Sequence, residues 1–214
     1  MIVDDYRCTK YCERFTDITL KKDELEKNIQ MEHKKMITDY HKYVRRNDSF
    51  YKKEFIKIYN GKCAYCGISI DVIGKEVFEI DHFRNKKRED FFTEGEAGYM
   101  GNLVLSCHDC NNCKNSFAIT DSNEYDLNPD KEEIYKNFIR DDMFYIQVSK
   151  RGTLKSDVTK FYKKLHFDSE MRRIDYLLMS MMGLENKIKK RGKEIEGLSN
   201  AILLILKKRN LMSV

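Results

Sequence analysis

The stretch NLVLSCHDCNNCK, residues 102–114, runs from a short apolar segment into two cysteines separated by two residues, Cys107 and Cys110. A second pair with the same spacing, Cys63 and Cys66, lies in CAYC. This spacing lets both sulfurs of a pair face one ion, and four thiolates complete the tetrahedral shell that zinc prefers. We therefore predict a closed, structural zinc site. Redox-active pairs are the competing interpretation, which the presence of two pairs in one chain disfavours.

Composition places the chain in the soluble globular class. Its 214 residues are 41% hydrophobic and 35% charged, too apolar for a disordered chain and too charged for a membrane protein. The longest aliphatic run, residues 201–206, is far shorter than the roughly 20 residues of a membrane-spanning helix. The first residues lack the pattern of a signal peptide, and seven cysteines, an odd number, do not fit a closed disulfide framework. We expect a cytoplasmic protein without membrane contact.

Changes in composition divide the chain into three parts. Residues 1–60 are charged and carry apolar residues at helical spacing, which predicts an N-terminal helical extension. Its histidines, His33 and His41, are interpreted as surface residues. Residues 61–120 contain five of the seven cysteines and are predicted to be the functional module. Residues 121–214 are predicted to form a C-terminal hairpin followed by helices.

The C-terminal part carries two kinds of apolar pattern. In MFYIQVSKRGTL, residues 143–154, Phe144, Ile146 and Val148 alternate, which predicts a small hairpin that turns at Gly152. The following residues recur at helical spacing and are predicted to form core stripes or a partner surface. These residues are Ile174, Leu177, Leu178 and Met181, and then Leu198, Ile202 and Ile205.

The stretch FEIDHFRNKK, residues 78–87, places an acid and a base, Asp81 and His82, at the end of a predicted strand. Hydrolysis of a phosphodiester needs a base that is neutral near physiological pH, as histidine is, and a hard cation such as Mg²⁺, which prefers oxygen ligands. The pair lies within the loop that the zinc site would close. The chain's net charge of +5 is compatible with nucleic acid. A capped turn is the competing interpretation. The basic residues expected to attract phosphates are Arg84, Lys86, Lys87 and Arg88.

Together, CAYC, EIDHF and GNLVLSCHDCNNCKNS resemble the HNH endonuclease module of the zinc-clamped type. The resemblance covers a minor part of the chain, but its combination of motifs is specific. It implies an α+β fold in which a small ββα-metal HNH module with a four-cysteine zinc site is flanked by N-terminal and C-terminal helices. In that family the Asp-His pair ends the first strand of a hairpin, and the last cysteine pair leads into a helix.

The resemblance also implies roles for individual residues. His82 would be the general base that activates water, and Asp81 would bind the catalytic Mg²⁺ or Mn²⁺. Asn102 would orient the imidazole of His82 from the facing strand. Lys114 would face the phosphate backbone of the nucleic acid.

The resemblance further implies that Asn111 is the second ligand of the catalytic ion. Asn111 stands where many members of the family have a histidine, so the chain departs from the His-Asn-His pattern. Asn112 and Asp109 are alternative ligands at this point.

The flanking regions resemble stand-alone HNH proteins of bacterial defence systems, of the Septu type or the retron-associated type, which work beside an ATPase partner. The predicted function is therefore metal-dependent cleavage or nicking of DNA, as the effector nuclease of an anti-phage defence system. The alternative is a non-catalytic zinc module that binds nucleic acid or an ATPase partner. The aliphatic run at residues 201–206 is expected to support an oligomer or a hetero-complex through the C-terminal helices.

Overall fold

Two short antiparallel sheets and ten α-helices occur within the described part of the chain. The computed structural model describes residues 5–34, 36–47, 49–85, 95–115 and 117–212. The expected α+β class is confirmed. In chain order the elements are α1 Ile18–His33, α2 His41–Val44, α3 Phe50–Ile58, α4 Ile70–Ile73, β1 Phe78–His82, β2 Leu103–Cys107, α5 His108–Lys114, α6 Glu124–Leu127, α7 Glu133–Asn137, β3 Phe138–Arg140, β4 Ile146–Val148, α8 Ser156–Lys164, α9 Glu170–Lys189 and α10 Leu198–Met212.

The central unit is a ββα arrangement. Strands β1 and β2 pair in antiparallel register, with Asp81 opposite Val104 and His82 opposite Leu103. Every residue of β2 is buried, as its continuous apolar sequence indicates for a strand covered on both faces. Helix α5 follows β2 without a loop. The predicted strand–strand–helix order of the module is therefore confirmed.

The N-terminal helices cover this unit. Helix α1 buries Leu25 and Ile29, and α3 is capped by Ser49, whose hydroxyl accepts a hydrogen bond from the Lys52 N–H at 3.1 Å. Lys22 of α1 is also buried, and its ammonium donates to the carbonyl of Leu103 at 2.5 Å. This bond joins α1 directly to the start of β2.

The C-terminal hairpin lies earlier than the sequence pattern predicted. Strand β3 pairs with β4, so the turn is formed by residues 141–145 and not at Gly152. Asp141 stabilises this turn because its carboxylate accepts hydrogen bonds from the Met143 and Tyr145 N–H groups at 3.0 and 2.9 Å. Phe144 sits in the turn and is 41% exposed, so it does not point inward as expected.

Helices α9 and α10 form a smaller apolar cluster of their own. Ile174, Leu178 and Ile202 are its buried members, which confirms that the two helical stripes supply core contacts. Leu203 and Leu204 of α10 are 56% and 66% exposed. No described helix is both long enough and apolar enough to cross a membrane.

The main hydrophobic core draws side chains from all three predicted parts of the chain. Ile29 comes from the first part, Tyr65 from the second, and Phe138 and Phe161 from the third. The core is therefore continuous across the predicted domain boundaries at residues 60 and 120, and these boundaries stay predictions made from composition. The central module and its flanks share one core.

Candidate active site and metal centre

Four buried cysteines converge at the end of the central hairpin. The sulfurs of Cys63, Cys66, Cys107 and Cys110 all lie within 4.8 Å of one another. The Cys66 and Cys107 sulfurs are 3.8 Å apart, and both cysteines are free thiols. A tetrahedron with zinc–sulfur bonds of about 2.3 Å has edges of about 3.8 Å, whereas a disulfide bond measures about 2.05 Å. The cluster therefore has the composition and spacing of a four-thiolate metal site.

Backbone hydrogen bonds bring the first cysteine pair to β2. The Ala64 N–H donates to the carbonyl of Leu105 at 2.7 Å, and the Gly67 N–H donates to that of Cys63 at 2.9 Å. Gly67 has φ +80°, and a Cβ there would lie 2.2 Å from the carbonyl oxygen of Arg7. Glycine is thus required both for the tight turn and for the close approach of the N-terminal segment.

Burial and neighbouring groups affect the protonation of these thiols in opposite ways. Burial raises the pKa of Cys66 and of Cys110 well above the usual value of a thiol. Hydrogen bonds from the other cysteines lower the pKa of Cys107 well below it. Four thiolates together therefore require a cation, and metal binding would release protons.

Asp81 and His82 line one open cleft at the end of β1. The cleft has a volume of about 320 Å³, and Glu79, Asn111 and Asn112 also line it. Neighbouring side chains of a strand normally point to opposite faces of the sheet. Both members of the pair nevertheless line the cleft, at the residues where the strand ends. The acid and the base of the predicted site are therefore brought together.

Two donors hold one oxygen of the Asp81 carboxylate. The Tyr65 hydroxyl donates to Oδ2 at 2.7 Å, and the Lys114 ammonium lies 3.1 Å from the same atom. No donor among the described residues contacts Oδ1. Burial raises the pKa of Asp81, while Lys114 and the Tyr65 hydroxyl act to lower it. The carboxylate is thus fixed in orientation, with one oxygen left for a further ligand.

Lys114 is placed differently from the expectation that it faces phosphate. Its side chain is 2% exposed, and its ammonium donates to the carbonyls of His82 and Phe83 at 3.0 and 3.3 Å. Together with the Asp81 contact, these bonds occupy the lysine inside the protein. Its position in α5, one turn after Cys110, directs it toward β1 and away from solvent.

Asn102 contacts the backbone after His82 and not the imidazole. Its Oδ1 accepts from the Arg84 N–H at 2.7 Å, and its Nδ2 donates to the carbonyls of Arg84 and Ala97 at 3.0 and 2.8 Å. This differs from the expected direct contact with the ring of His82. Asn102 instead fixes the chain two residues beyond that histidine.

Of the four basic residues that were predicted to contact phosphate after His82, the structure describes Arg84. The Arg84 guanidinium lies 2.9 Å from the Asp121 carboxylate and also pairs with Glu124, and its side chain is 18% exposed. Arg84 is therefore engaged with acidic side chains, which differs from the expected phosphate contact. The other predicted phosphate contacts lie outside the described residues: Lys86, Lys87 and Arg88.

Glu79 organises the side of the cleft formed by α5. It accepts a hydrogen bond from the Asn111 amide and lies 2.7 Å from Nδ1 of His108, and this contact raises the pKa of His108. Because the amide nitrogen of Asn111 donates this hydrogen bond, the side-chain carbonyl oxygen is the atom of Asn111 that could bind a cation. Asn112 also borders the cleft, and Asp109 is exposed on the first turn of α5.

His41 lies against His82, although the sequence indicated an ordinary surface residue. The two ring centroids are 4.3 Å apart, and Nε2 of His41 is 3.1 Å from the carbonyl oxygen of Ile80. His41 borders a second cleft that shares Asp81 and His82 with the first and is also lined by Lys42 and Arg45. No local pattern in the sequence indicated that this short helix would reach the site.

Sequence analysis also missed Tyr65, Glu79 and Arg172. Tyr65 stands between the two cysteines of CAYC, where only its position next to the metal ligands offered a signal. Glu79 precedes Asp81 by two residues and so shares its face of the strand. Arg172 of α9 donates to the sulfurs of Cys66 and Cys110 at 3.4 and 3.3 Å.

Comparison with known proteins identifies the same region. Residues 63–117 match the family model described as HNH endonuclease. The chain is also 37% identical over 98 residues to the Septu protein PtuB of Bacillus mycoides (strain KBAB4). That match covers 40% of this chain and 32% of the relative, so it spans about a third of the relative's length. No solved structure gives a significant match.

The Lys114–Asp81 pair should control stability in a pH-dependent way. Lys114→Met leaves the buried Asp81 carboxylate without its cation at neutral pH and should lower the free energy of unfolding by about 3–5 kcal/mol. Because the folded state of the variant binds a proton to Asp81 more tightly than the unfolded chain does, the loss should shrink between about pH 7 and about pH 5. Urea denaturation of the metal-bound protein measures both values.

The double variant Asp81→Asn/Lys114→Met is the control for this prediction. It removes both charges, so it should recover most of the stability lost at about pH 7. A loss in Lys114→Met that is the same at both pH values, and that Asp81→Asn does not relieve, would contradict the ion-pair account.

Proposed function

We propose that the chain hydrolyses phosphodiester bonds of DNA with the help of a divalent cation, since residues 63–117 match the family model described as HNH endonuclease. The observation that carries the proposal is the shared cleft. Asp81, His82 and Asn111 line it together, and the four-cysteine site lies at the other end of the same two strands. We further propose that the four cysteines hold a structural zinc ion, since a complete thiolate shell leaves no position for substrate.

The donor set of the cleft suits a hard cation. Asp81 offers Oδ1, while Tyr65 and Lys114 hold its other oxygen, and Asn111 offers an amide carbonyl. Few protein ligands and several waters are the usual arrangement for Mg²⁺, and Mn²⁺ accepts the same oxygen donors. A cation bound there would stabilise the negative charge that develops on the phosphate.

The residues around the cleft would have two further roles, proton transfer and the positioning of the base. His82 would accept the proton of the attacking water, which requires the neutral imidazole. Lys114 holds the carbonyl of His82, and Asn102 holds the backbone of Arg84. These two residues are positioning residues because they fix the chain on which the base is carried.

Within the described residues, exposed positive charge beside His82 comes from helix α2 and from the residue that directly follows it. Lys42 and Arg45 line the cleft that contains His82, and both are exposed. Lys42 lies 3.1 Å from Asp39, but its side chain is 70% exposed, and such surface pairs contribute little. A phosphate could therefore replace that partner, and we propose that these two residues contact the DNA backbone.

The cellular role follows from similarity to part of a relative. We propose a role as effector nuclease of a bacterial antiviral defence system, which the similarity to part of the Septu protein supports. A cytoplasmic location and an ATPase partner belong to the same proposal. The C-terminal helices would provide the docking surface, since Leu203, Leu204 and Leu211 are exposed on α10. A non-catalytic zinc module that binds nucleic acid remains the alternative, and the next experiment separates the two.

His82→Ala should abolish cleavage while leaving DNA affinity and metal content at the wild-type level. The substitution removes proton transfer, which is typically worth about 10²–10⁴-fold, but no thiolate and no cationic side chain. Plasmid nicking with Mg²⁺ or Mn²⁺ measures the rate, and electrophoretic mobility shift measures DNA binding.

His33→Ala is the matched control for the nuclease assay. His33 is an exposed histidine whose ring lies 4.7 Å from that of Tyr43 and which lines neither cleft. The His33→Ala variant should cut DNA at the wild-type rate. Equal cutting by His82→Ala would contradict the assignment of His82 as the base, and DNA binding without cutting by the wild type would favour the binding module.

The pair Lys42→Ala/Arg45→Ala should weaken DNA binding uniformly across sequences. Made in the His82→Ala background, it should reduce the slope of log K against log salt by about two, since each phosphate contact contributes about one. Lys163→Ala/Lys164→Ala removes the same charge from exposed positions of α8 and should change the slope little. An equal effect of the two pairs would show that net charge alone matters.

A further inference from the structure

A single buried guanidinium contacts three of the four clustered sulfurs. Nη1 of Arg172 lies 3.4 Å from the Cys66 sulfur and 3.8 Å from that of Cys107, and Nη2 lies 3.3 Å from that of Cys110. Arg172 is 5% exposed and belongs to α9, more than sixty positions after the last of these cysteines. A planar fork of N–H donors is suited to several acceptors at once, which a lysine could not match.

Charge explains why an arginine is found there. A divalent ion with four thiolates leaves two negative charges, and burying them is costly unless a cation is close. Donors that hydrogen-bond to metal ligands also fix the orientation of those ligands and tune metal affinity. Arg172 supplies both a positive charge and N–H donors at the buried face of the cluster.

The alternation of charge continues to the last helix. Asp175 follows Arg172 by three residues on α9, is 3% exposed, and accepts a hydrogen bond from Nε of Arg209 at 2.6 Å. Arg209 lies on α10, and its side chain is 12% exposed. Charges of alternating sign therefore run from the cysteine cluster through the buried Arg172 and Asp175 to the partly exposed Arg209 on the final helix of the described chain.

We propose that Arg172 is the charge-balancing partner of the four-cysteine metal site and that this contact fastens α9 and α10 to the HNH domain. Loss of the metal removes the ion that holds the four sulfurs together, so Arg172 loses the set of acceptors that it bridges. The position of the two C-terminal helices therefore depends on metal occupancy. This inference concerns metal binding and does not require the chain to be an active nuclease.

The test compares metal release from variants of two neighbouring arginines. Arg172→Met keeps the length of the side chain but removes the charge and the donors, and it should release zinc to a chromogenic chelator about 10–100-fold faster than the wild type. Arg172→Lys keeps the charge without the fork and should fall between them. Arg173→Met is the matched control, since Arg173 pairs with Glu170 at 2.8 Å, and it should release zinc at the wild-type rate.

Hydrogen–deuterium exchange of the wild type supplies the second readout. Removal of zinc should increase exchange throughout residues 170–212 by at least about tenfold if α9 and α10 are fastened through the metal site. Unchanged zinc release from Arg172→Met would overturn the proposal. If Arg172→Met fails to fold, the exchange measurement on the wild type still tests the proposal. Full protection of both helices after removal of zinc by a chelator would overturn it.

Discussion

The convergence of four cysteine sulfurs is the interaction on which the rest of the structure depends. Cys63 and Cys66 precede β1, while Cys107 and Cys110 end β2 and enter α5. One ion held by all four would close the loop that carries Asp81 and His82. Binding of a metal to such a site contributes directly to folding, since the unfolded chain has no comparable site. The position of the cleft therefore depends on the convergence of the four cysteines.

Buried cations play structural roles around this centre. Lys114 holds Asp81, Arg172 faces the cysteine cluster, and Lys22 joins α1 to the start of β2. Each is paired, as buried charge must be. These buried cations of the described chain thus serve to build the site. On the described surface of the second cleft, the exposed cations are Lys42 of α2 and Arg45 directly after it, both in the N-terminal extension.

Sequence patterns predicted the parts of the site that depend on local spacing. The cysteine pairs, the strand ending in Asp81–His82 and the helix after the second pair are all encoded by neighbours in the chain, and the fold confirmed them. Burial of Lys114 and the approach of His41 and Arg172 depend on which distant helices pack together, which one sequence does not reveal. The C-terminal hairpin was misplaced for a similar reason, because alternation in β4 cannot identify β3 as its partner.

X-ray absorption at the zinc edge of the purified protein tests the central claim most directly. The account predicts about one zinc per chain, surrounded by four sulfur atoms at about 2.3 Å. A folded protein without zinc, or a first shell that contains nitrogen or oxygen, would contradict it.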